Sequence, residues 1–280
     1  MFKVALSGDF LKDDGTFAYP DIDLNLLNHK NIEWKIIDTS PEIKSEELEG
    51  YDALILLGHR FTKNSVPKDK KLSVISRFGV GYDSVDLDAC NDNSIALVIT
   101  PDGIRRPVAV SVMAFILSLT GNMFIKDKIT RNGEWDSRSE YMGKGIVDKT
   151  LGFIGFGNIG AEIVKLAKVF DMNFIAYDPY ADKKKLEDLG VKVCEINEVF
   201  KNADILSINC ALTDETRHIV NEERLSLMKK SSYLINTSRG PVVDQNALYN
   251  ILSENKIAGA GLDVFEIEPL EMHDKILKLD

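Results

Sequence analysis

Cysteine is scarce in this chain. Its 280 residues include three, Cys90, Cys194 and Cys210, with no C-x-x-C spacing. So small and odd a set argues against a disulfide scaffold and points to a reducing compartment. The four histidines, His29, His59, His218 and His273, stand apart from one another, so no metal cluster is expected. Excess positive charge is also missing. Lys and Arg total 34 against 44 Asp and Glu, a net charge of −10 with both signs spread along the chain. Without a basic stripe, nucleic acid is not an expected partner. No unbroken apolar run is long enough to span a bilayer, and there is no internal repeat or low-complexity tract. The first residues, MFKVALSG, read as a strand and a glycine turn, not as a signal peptide. Together these absences predict a cytoplasmic protein without a membrane partner. What remains is an ordinary globular composition, 44% hydrophobic and 28% charged, long enough for one large or two medium domains.

Residues 1–100 alternate between strand and helix patterns. Strands are predicted at Phe2–Ser7, Glu33–Ile37, Ala53–Leu57, Leu72–Phe78 and Ile95–Thr100. Short helices are predicted at Ile22–Leu27, Ser45–Leu48 and Val85–Cys90. Apolar strands in such alternation imply a parallel sheet covered by helices. Two places here bear on chemistry. In FGVGYDSVD, Gly79, Val80 and Gly81 lie where a strand ends and a helix begins. Main-chain N–H groups left free there would face an anion such as a carboxylate, although a capped glycine turn explains the same residues. Arg60 follows the strand at 53–57, either as a substrate contact or as a solvated surface charge. Next comes PDGIRRP (Pro101–Pro107), read as a loop and domain crossover, with Arg105 and Arg106 in it. Val108–Leu119 is a helix apolar nearly all round, which implies burial against another domain or subunit. Lys126–Asp148 reads as an extended arm or loop.

The strongest stretch is Leu151–Pro179. An apolar run, Leu151–Ile154, precedes Gly155, Gly157 and Gly160 spaced G-x-G-x-x-G. Ile159, Ile163, Val164, Leu166, Ala167 and Phe170 then mark one helical face. A second strand, Asn173–Tyr177, ends at Asp178, eighteen residues past Gly160. The first glycine permits a tight turn, the second a close approach to a pyrophosphate, and the third helix–strand packing. The helix N-terminus then attracts the anion, and the acid accepts hydrogen bonds from ribose hydroxyls. Strand patterns continue at 191–193, 204–208, 232–235 and 257–262, with helices at 181–189, 222–228 and 243–254. Six strands from Leu151 onward match the inventory of a dinucleotide-binding sheet. Other chemistry-bearing residues follow strands: Cys210 after 204–208, Arg239 in INTSRG, and Asp263 and Glu268 in GLDVFEIEP. Arginine offers a carboxylate two parallel hydrogen bonds and is never neutral. Each of these residues also has a plain structural explanation: a cap, a turn or a buried thiol.

Taken together, FGVGYDSVDLDA, the run ADILSINCALTDETRHIVNEERLSLMKKSSYLINTSRGPVVDQNAL and GAGLDVFEIEP resemble the D-isomer-specific 2-hydroxyacid dehydrogenases. The resemblance covers the whole chain and is strongest from Leu151 to Pro269. It implies an α/β fold of two doubly wound domains: a flavodoxin-like substrate domain at 1–102 and a Rossmann NAD-binding domain at 103–280. It implies NAD as cofactor and hydride transfer between NAD(H) and a 2-hydroxy acid/2-oxo acid pair. Arg239 would bind the substrate carboxylate, and Glu268 would support a catalytic histidine. The Gly79–Gly81 loop would hold the carboxylate through N–H groups, with Arg60 beside it. Gly155, Gly157, Asn158, Ile159 and Gly160 would carry the pyrophosphate and Asp178 the adenosine ribose. Cys210, Thr237, Ser238 and Asp263 would line the nicotinamide side. A homodimer through Val108–Leu119 and the arm is also implied.

Two departures stand out. In the family the histidine lies in a T-P-H stretch beyond the glutamate. This chain ends twelve residues after Glu268 with no T-P-H, and neither His218 nor His273 matches. It therefore reads as cut short, with little turnover expected of it. His273 reads as a surface histidine. The second departure is Val108-Ala109-Val110, where many members carry V-A-E, beside the unusual GIRRP. An NAD(H)-sensing binding protein is the rival reading, and formate or phosphite oxidation is another within the same fold.

Overall fold

The computed structural model describes residues 1–279. The chain divides into two compact units, Met1–Ile104 and Arg105–Asp280.

The first unit is built on five parallel strands: β1 (Phe2–Leu6), β2 (Ile32–Ile36), β3 (Ala53–Leu56), β4 (Val74–Arg77) and β5 (Ala96–Val98). Their order, β2-β1-β3-β4-β5, is the flavodoxin-like doubly wound one. Successive side chains point to opposite faces, so each strand feeds two cores. Ala5, Leu54 and Ile75 pack with Ile43, Leu48 and Phe61 on one face. Val4, Leu6 and Ala53 pack with Phe10 on the other. The coverage differs from expectation. Only α1 (Leu87–Asp92) is α-helical between these strands. The segments 22–27 and 45–48 form single 3₁₀ turns, at Asn25–Leu27 and Ser45–Glu47. Segments this short cannot repay helix nucleation, so they use the tighter turn.

PDGIRRP is not a loop. It forms the first two turns of α2, Pro101–Thr120, with Pro107 inside the helix. Pro101 occupies the first helical position, where the missing N–H costs nothing. Burial of Ala109, Val112, Met113 and Ile116 then holds the helix together past the breaker. At twenty residues, α2 is long and apolar enough to cross a membrane, yet those side chains belong to the core of the second unit. The arm is also more regular than expected. It contains α3 (Met123–Arg131) and a 3₁₀ stretch, Trp135–Ser139.

The second unit has six parallel strands: β6 (Thr150–Ile154), β7 (Asn173–Tyr177), β8 (Val191–Val193), β9 (Ile205–Ile208), β10 (Tyr233–Asn236) and β11 (Gly259–Leu262). The order β11-β10-β9-β6-β7-β8 is the Rossmann order read from the other edge. One face carries α2, α4 (Asn158–Ala167) and α5 (Lys183–Asp188); Phe153, Ile163, Val164 and Leu186 lie in that core. The other carries α6 (Ile196–Asn202), α7 (Glu222–Leu225) and α8 (Gln245–Ser253), over Ile154, Val199, Phe200 and Leu248. The sequence patterns miss α6 entirely. Its seven residues bury only Val199 and Phe200, too few to show a period. A methyl group on Gly152 would lie 2.9 Å from Val199 and 2.8 Å from Ala203, so a glycine in β6 lets α6 approach.

Candidate active site

At β6 the strand order changes direction, with β7 on one side and β9 on the other. Ligands of open α/β sheets bind outside the carboxyl ends of the strands at such a point. Here the chain turns at Gly155, whose φ of +80° is left-handed. Its N–H donates to the Tyr177 carbonyl at 2.8 Å, tying the turn to the end of β7. A methyl group at 155 would lie 2.6 Å from the Cys210 backbone, so only glycine fits. Gly157 is the N-cap of α4, with no side-chain cap and nothing within 4 Å of a methyl group placed on it. The first N–H groups of a helix have no partner within it, so those of Asn158 and Ile159 open onto this space. Gly160 makes room for the ring of Phe156, 3.0 Å from its missing methyl. Asp178 is held at both oxygens: Oδ2 accepts from the Phe156 N–H at 2.7 Å and Oδ1 from the Tyr180 N–H at 2.9 Å. An open helix N-terminus beside a fixed carboxylate suits a dinucleotide, anion at one end and ribose diol at the other. The carboxylate disfavours a 2′-phosphate by like charge.

The neighbouring strand ends bring the other candidates together. Cys210 lies against the Gly155 turn, and burial pushes its thiol up to about 11. Beyond β10, the loop at 237–240 is organised by Asn236, which sequence reasoning passed over. Asn236 is buried; its Oδ1 accepts from the N–H and hydroxyl of Ser238 at 3.0 and 2.9 Å. Its Nδ2 donates to the Arg239 carbonyl at 3.0 Å. The Asp263 N–H donates to the Asn236 carbonyl at 3.0 Å, which joins the β10 and β11 exits. Thr237, Ser238 and Arg239 are half-buried, while Asp263 and Glu268 are exposed. Gly240 meets the second loop directly. A methyl group there would lie 1.7 Å from the Phe265 carbonyl oxygen. The Phe265 N–H in turn donates to Glu268 Oε1 at 2.8 Å. The loops carrying Arg239 and Glu268 are therefore packed backbone to backbone.

In the first unit, Gly79 differs from the expected open loop. Its N–H donates to Thr100 Oγ1 at 3.0 Å, so it does not face outward. The N–H groups of Val80 and Gly81 meet no acceptor among the described residues. Arg77, which sequence reasoning missed, brings Nη1 within 3.1 Å of a methyl group placed on Gly79. This puts positive charge beside that loop. Arg60 is exposed. The adjoining β3 exit carries a half-buried network that the sequence patterns did not show. Asp9 accepts from the N–H groups of Gly58 and His59 at 2.6 and 2.9 Å, and Thr39 Oγ1 lies 2.6 Å from His59 Nδ1.

Arg106, at the start of α2, pairs with Glu162 on α4 at 2.8 Å. Glu162 is held below the usual carboxylate range first by a hydrogen bond from Lys165, with the charge of Arg106 adding to it. His273 is exposed. Among the described residues no group of His, Cys, Asp or Glu is placed to hold a metal.

Residues 113–280 match the family model described as D-isomer specific 2-hydroxyacid dehydrogenase, NAD binding domain. The chain is 42% identical over 226 residues to a D-3-phosphoglycerate dehydrogenase of Methanocaldococcus jannaschii, covering 80% of this chain and 43% of the relative's length. It therefore spans less than half of that relative. It is 35% identical to a hydroxypyruvate reductase of Thermotoga maritima, covering 91% of this chain and 83% of that one. Its structure is similar to a crystal structure of D-lactate dehydrogenase from Aquifex aeolicus complexed with NAD and lactic acid. The TM-score is 0.83 at 30% identity, over 94% of this chain and 77% of that one. The glycine turn, the acid at the end of β7 and the paired loops after β10 and β11 thus sit in a known setting: the chain belongs to the D-isomer-specific 2-hydroxyacid dehydrogenase family, and its second unit is that family's NAD-binding domain.

Proposed function

We propose that this chain serves a dehydrogenase that moves a hydride between NAD(H) and a small 2-hydroxy acid/2-oxo acid pair. The observation that carries this reading is the contact of Gly240 with Phe265. It packs the loops that carry Arg239 and Glu268 against each other, at the carboxyl edge of the sheet that also carries Asp178 and the Gly155–Gly160 turn. Gly155, Gly157, Asn158, Ile159 and Gly160 hold the pyrophosphate, and Asp178 the adenosine ribose. Cys210, Thr237, Ser238 and Asp263 line the nicotinamide side. Bound nicotinamide supplies or takes up the hydride. Arg239 binds the substrate carboxylate and draws electron density from the neighbouring carbonyl. Glu268 offers its second oxygen to the N–H of the group that carries the proton. The first unit is the substrate domain: the N–H groups of Val80 and Gly81 suit an anion, Gly79 shapes their turn, and Arg60 is a further exposed cation of that unit.

The setting is cytoplasmic, in keeping with three free cysteines. The protein pairs as a homodimer. This rests on apolar side chains left on the surface of α2 and α3: Val110 at 50%, Leu117 at 42% and Phe124 at 74% exposure. A monomeric mass by light scattering would contradict it. Activity is tested on a version extended past Asp280 to carry the family's T-P-H stretch, by NADH oxidation with glyoxylate, hydroxypyruvate and phosphohydroxypyruvate. Consumption with at least one, lost in Arg239→Gln, is expected. Tight NADH binding without turnover of any would instead mark a cofactor-sensing protein.

A further inference from the structure

His218 has no part in the hydride transfer proposed for this site. It lies in the segment after β9, at a φ of +51°. A left-handed conformation is uncommon outside glycine, though histidine is among the residues that adopt it, and here it accompanies a His218 that holds two loops at once. Its N–H donates to the Pro241 carbonyl at 2.9 Å, in the loop that begins with Arg239. Its ring Nε2 lies 2.7 Å from Glu266 Oε1, two residues before Glu268. Facing a carboxylate, Nε2 must carry a hydrogen.

Glu266 is fixed from the other side as well. Its Oε2 accepts from the Gln245 N–H at 3.2 Å, and its own N–H donates to Gln245 Oε1 at 3.1 Å. Gln245 is the first residue of α8 and donates through Nε2 to Asp274 at 2.9 Å. Between Glu266 and Gly240 sits Phe265. Its carbonyl packs on Gly240 and its N–H holds the carboxylate of Glu268. Any shift of Glu266 therefore moves Phe265, and with it the relative placement of Arg239 and Glu268. The pair is partly exposed, His218 at 39% and Glu266 at 27% of the side chain. Pairs so exposed add little to stability. Its effect therefore belongs to geometry more than to stability.

We propose that His218 and Glu266 form a positioning pair that sets the Arg239 and Glu268 loops in register for binding a 2-oxo acid. This rests on the reading of Arg239 and Glu268 as substrate-side groups. The test is the affinity of the NADH-loaded protein for glyoxylate and hydroxypyruvate, followed by NADH fluorescence. Two variants separate reach from backbone conformation. His218→Asn accepts a left-handed φ but is too short to meet Glu266; His218→Gln restores an N–H donor with longer reach. We expect His218→Asn to weaken 2-oxo acid binding by about tenfold or more, with NADH affinity held within about twofold. His218→Gln should recover most of the loss, and the melting temperature should barely move in either. Unchanged 2-oxo acid affinity in His218→Asn, alongside its loss in Arg239→Gln, overturns the positioning role and leaves the functional reading intact. Unchanged affinity in both variants, or no 2-oxo acid binding by the wild type, overturns that reading and this inference with it. Equal loss of NADH binding and melting temperature in Asn and Gln variants would make His218 a fold contact only, which also overturns the proposal.

Discussion

Two glycines in one motif have opposite physical roles here. Gly155 is confined by backbone: φ is +80° and a methyl group would meet Cys210 at 2.6 Å. Gly157 is confined by nothing in the protein itself. Gly155→Ala should therefore lower stability by about 1–3 kcal/mol, from overpacking and strain. Gly157→Ala should leave the melting temperature unchanged and weaken NADH binding, because its methyl enters the space at the helix N-terminus. Thermal melts and NADH titrations on both variants check the pair. Cys210 gives a second prediction. Burial is the main cause of its raised pKa, with the charge of Asp178 adding; the value rises from 9.0 to about 11. The unfolded chain thus gives up this proton first. The stability linked to Cys210 is whole below pH 9.0 and is lost as pH climbs toward about 11. The loss is about 2–3 kcal/mol at most. Urea unfolding across that window should show the slope in the wild type and a shallower one in Cys210→Ala.

Among elements, the packed exits of β10 and β11 are the site's foundation. Gly240→Ala places a methyl group 1.7 Å from the Phe265 carbonyl, a backbone atom that cannot rotate away. The two loops must part. We expect a loss of about 2 kcal/mol or more in stability, together with loss of 2-oxo acid binding. A variant that melts like wild type and binds 2-oxo acids normally would contradict this account. The glycine-turn segment was legible because three signals coincide there: an apolar strand, the glycine spacing and a helical stripe. β7 falls where the sequence places it, at Asn173–Tyr177, and β8 at Val191–Val193. The segment at 101–107 misled because proline and glycine are local signals, whereas α2 is held by distant burial of Ile116 and its neighbours. Helix α6 was invisible for the converse reason. Its two buried side chains make no pattern until Gly152 is seen to receive them.

For the whole molecule, the role proposed for the acid at the end of β7 predicts a cofactor preference. A ligand that binds only the folded protein stabilises it by about 2.7 kcal/mol at a hundred times its Kd. NADH should therefore raise the melting temperature, and NADPH at the same concentration should raise it less. Asp178→Asn should narrow the difference, because the like charge facing a 2′-phosphate is gone. Equal shifts by both cofactors in the wild type would refute the role given to Asp178.

The linear chain determined an α/β fold with parallel strands and a glycine turn suited to a dinucleotide. These follow from period, glycine spacing and residue type, all of which are local. Which N–H groups remain available was decided by the tertiary structure alone. Gly79 and Gly81 look alike in sequence, yet Thr100, twenty-one residues away, takes the N–H of Gly79 and leaves that of Gly81. Arg105 and Arg106 look like one charge pair, yet Glu162 on another helix engages Arg106. His218 matched nothing in the sequence and acquires a partner only when the chain returns with Glu266, forty-eight residues later. A hydrogen bond is settled by which atoms meet, and for residues this far apart only the packed sheets bring them together.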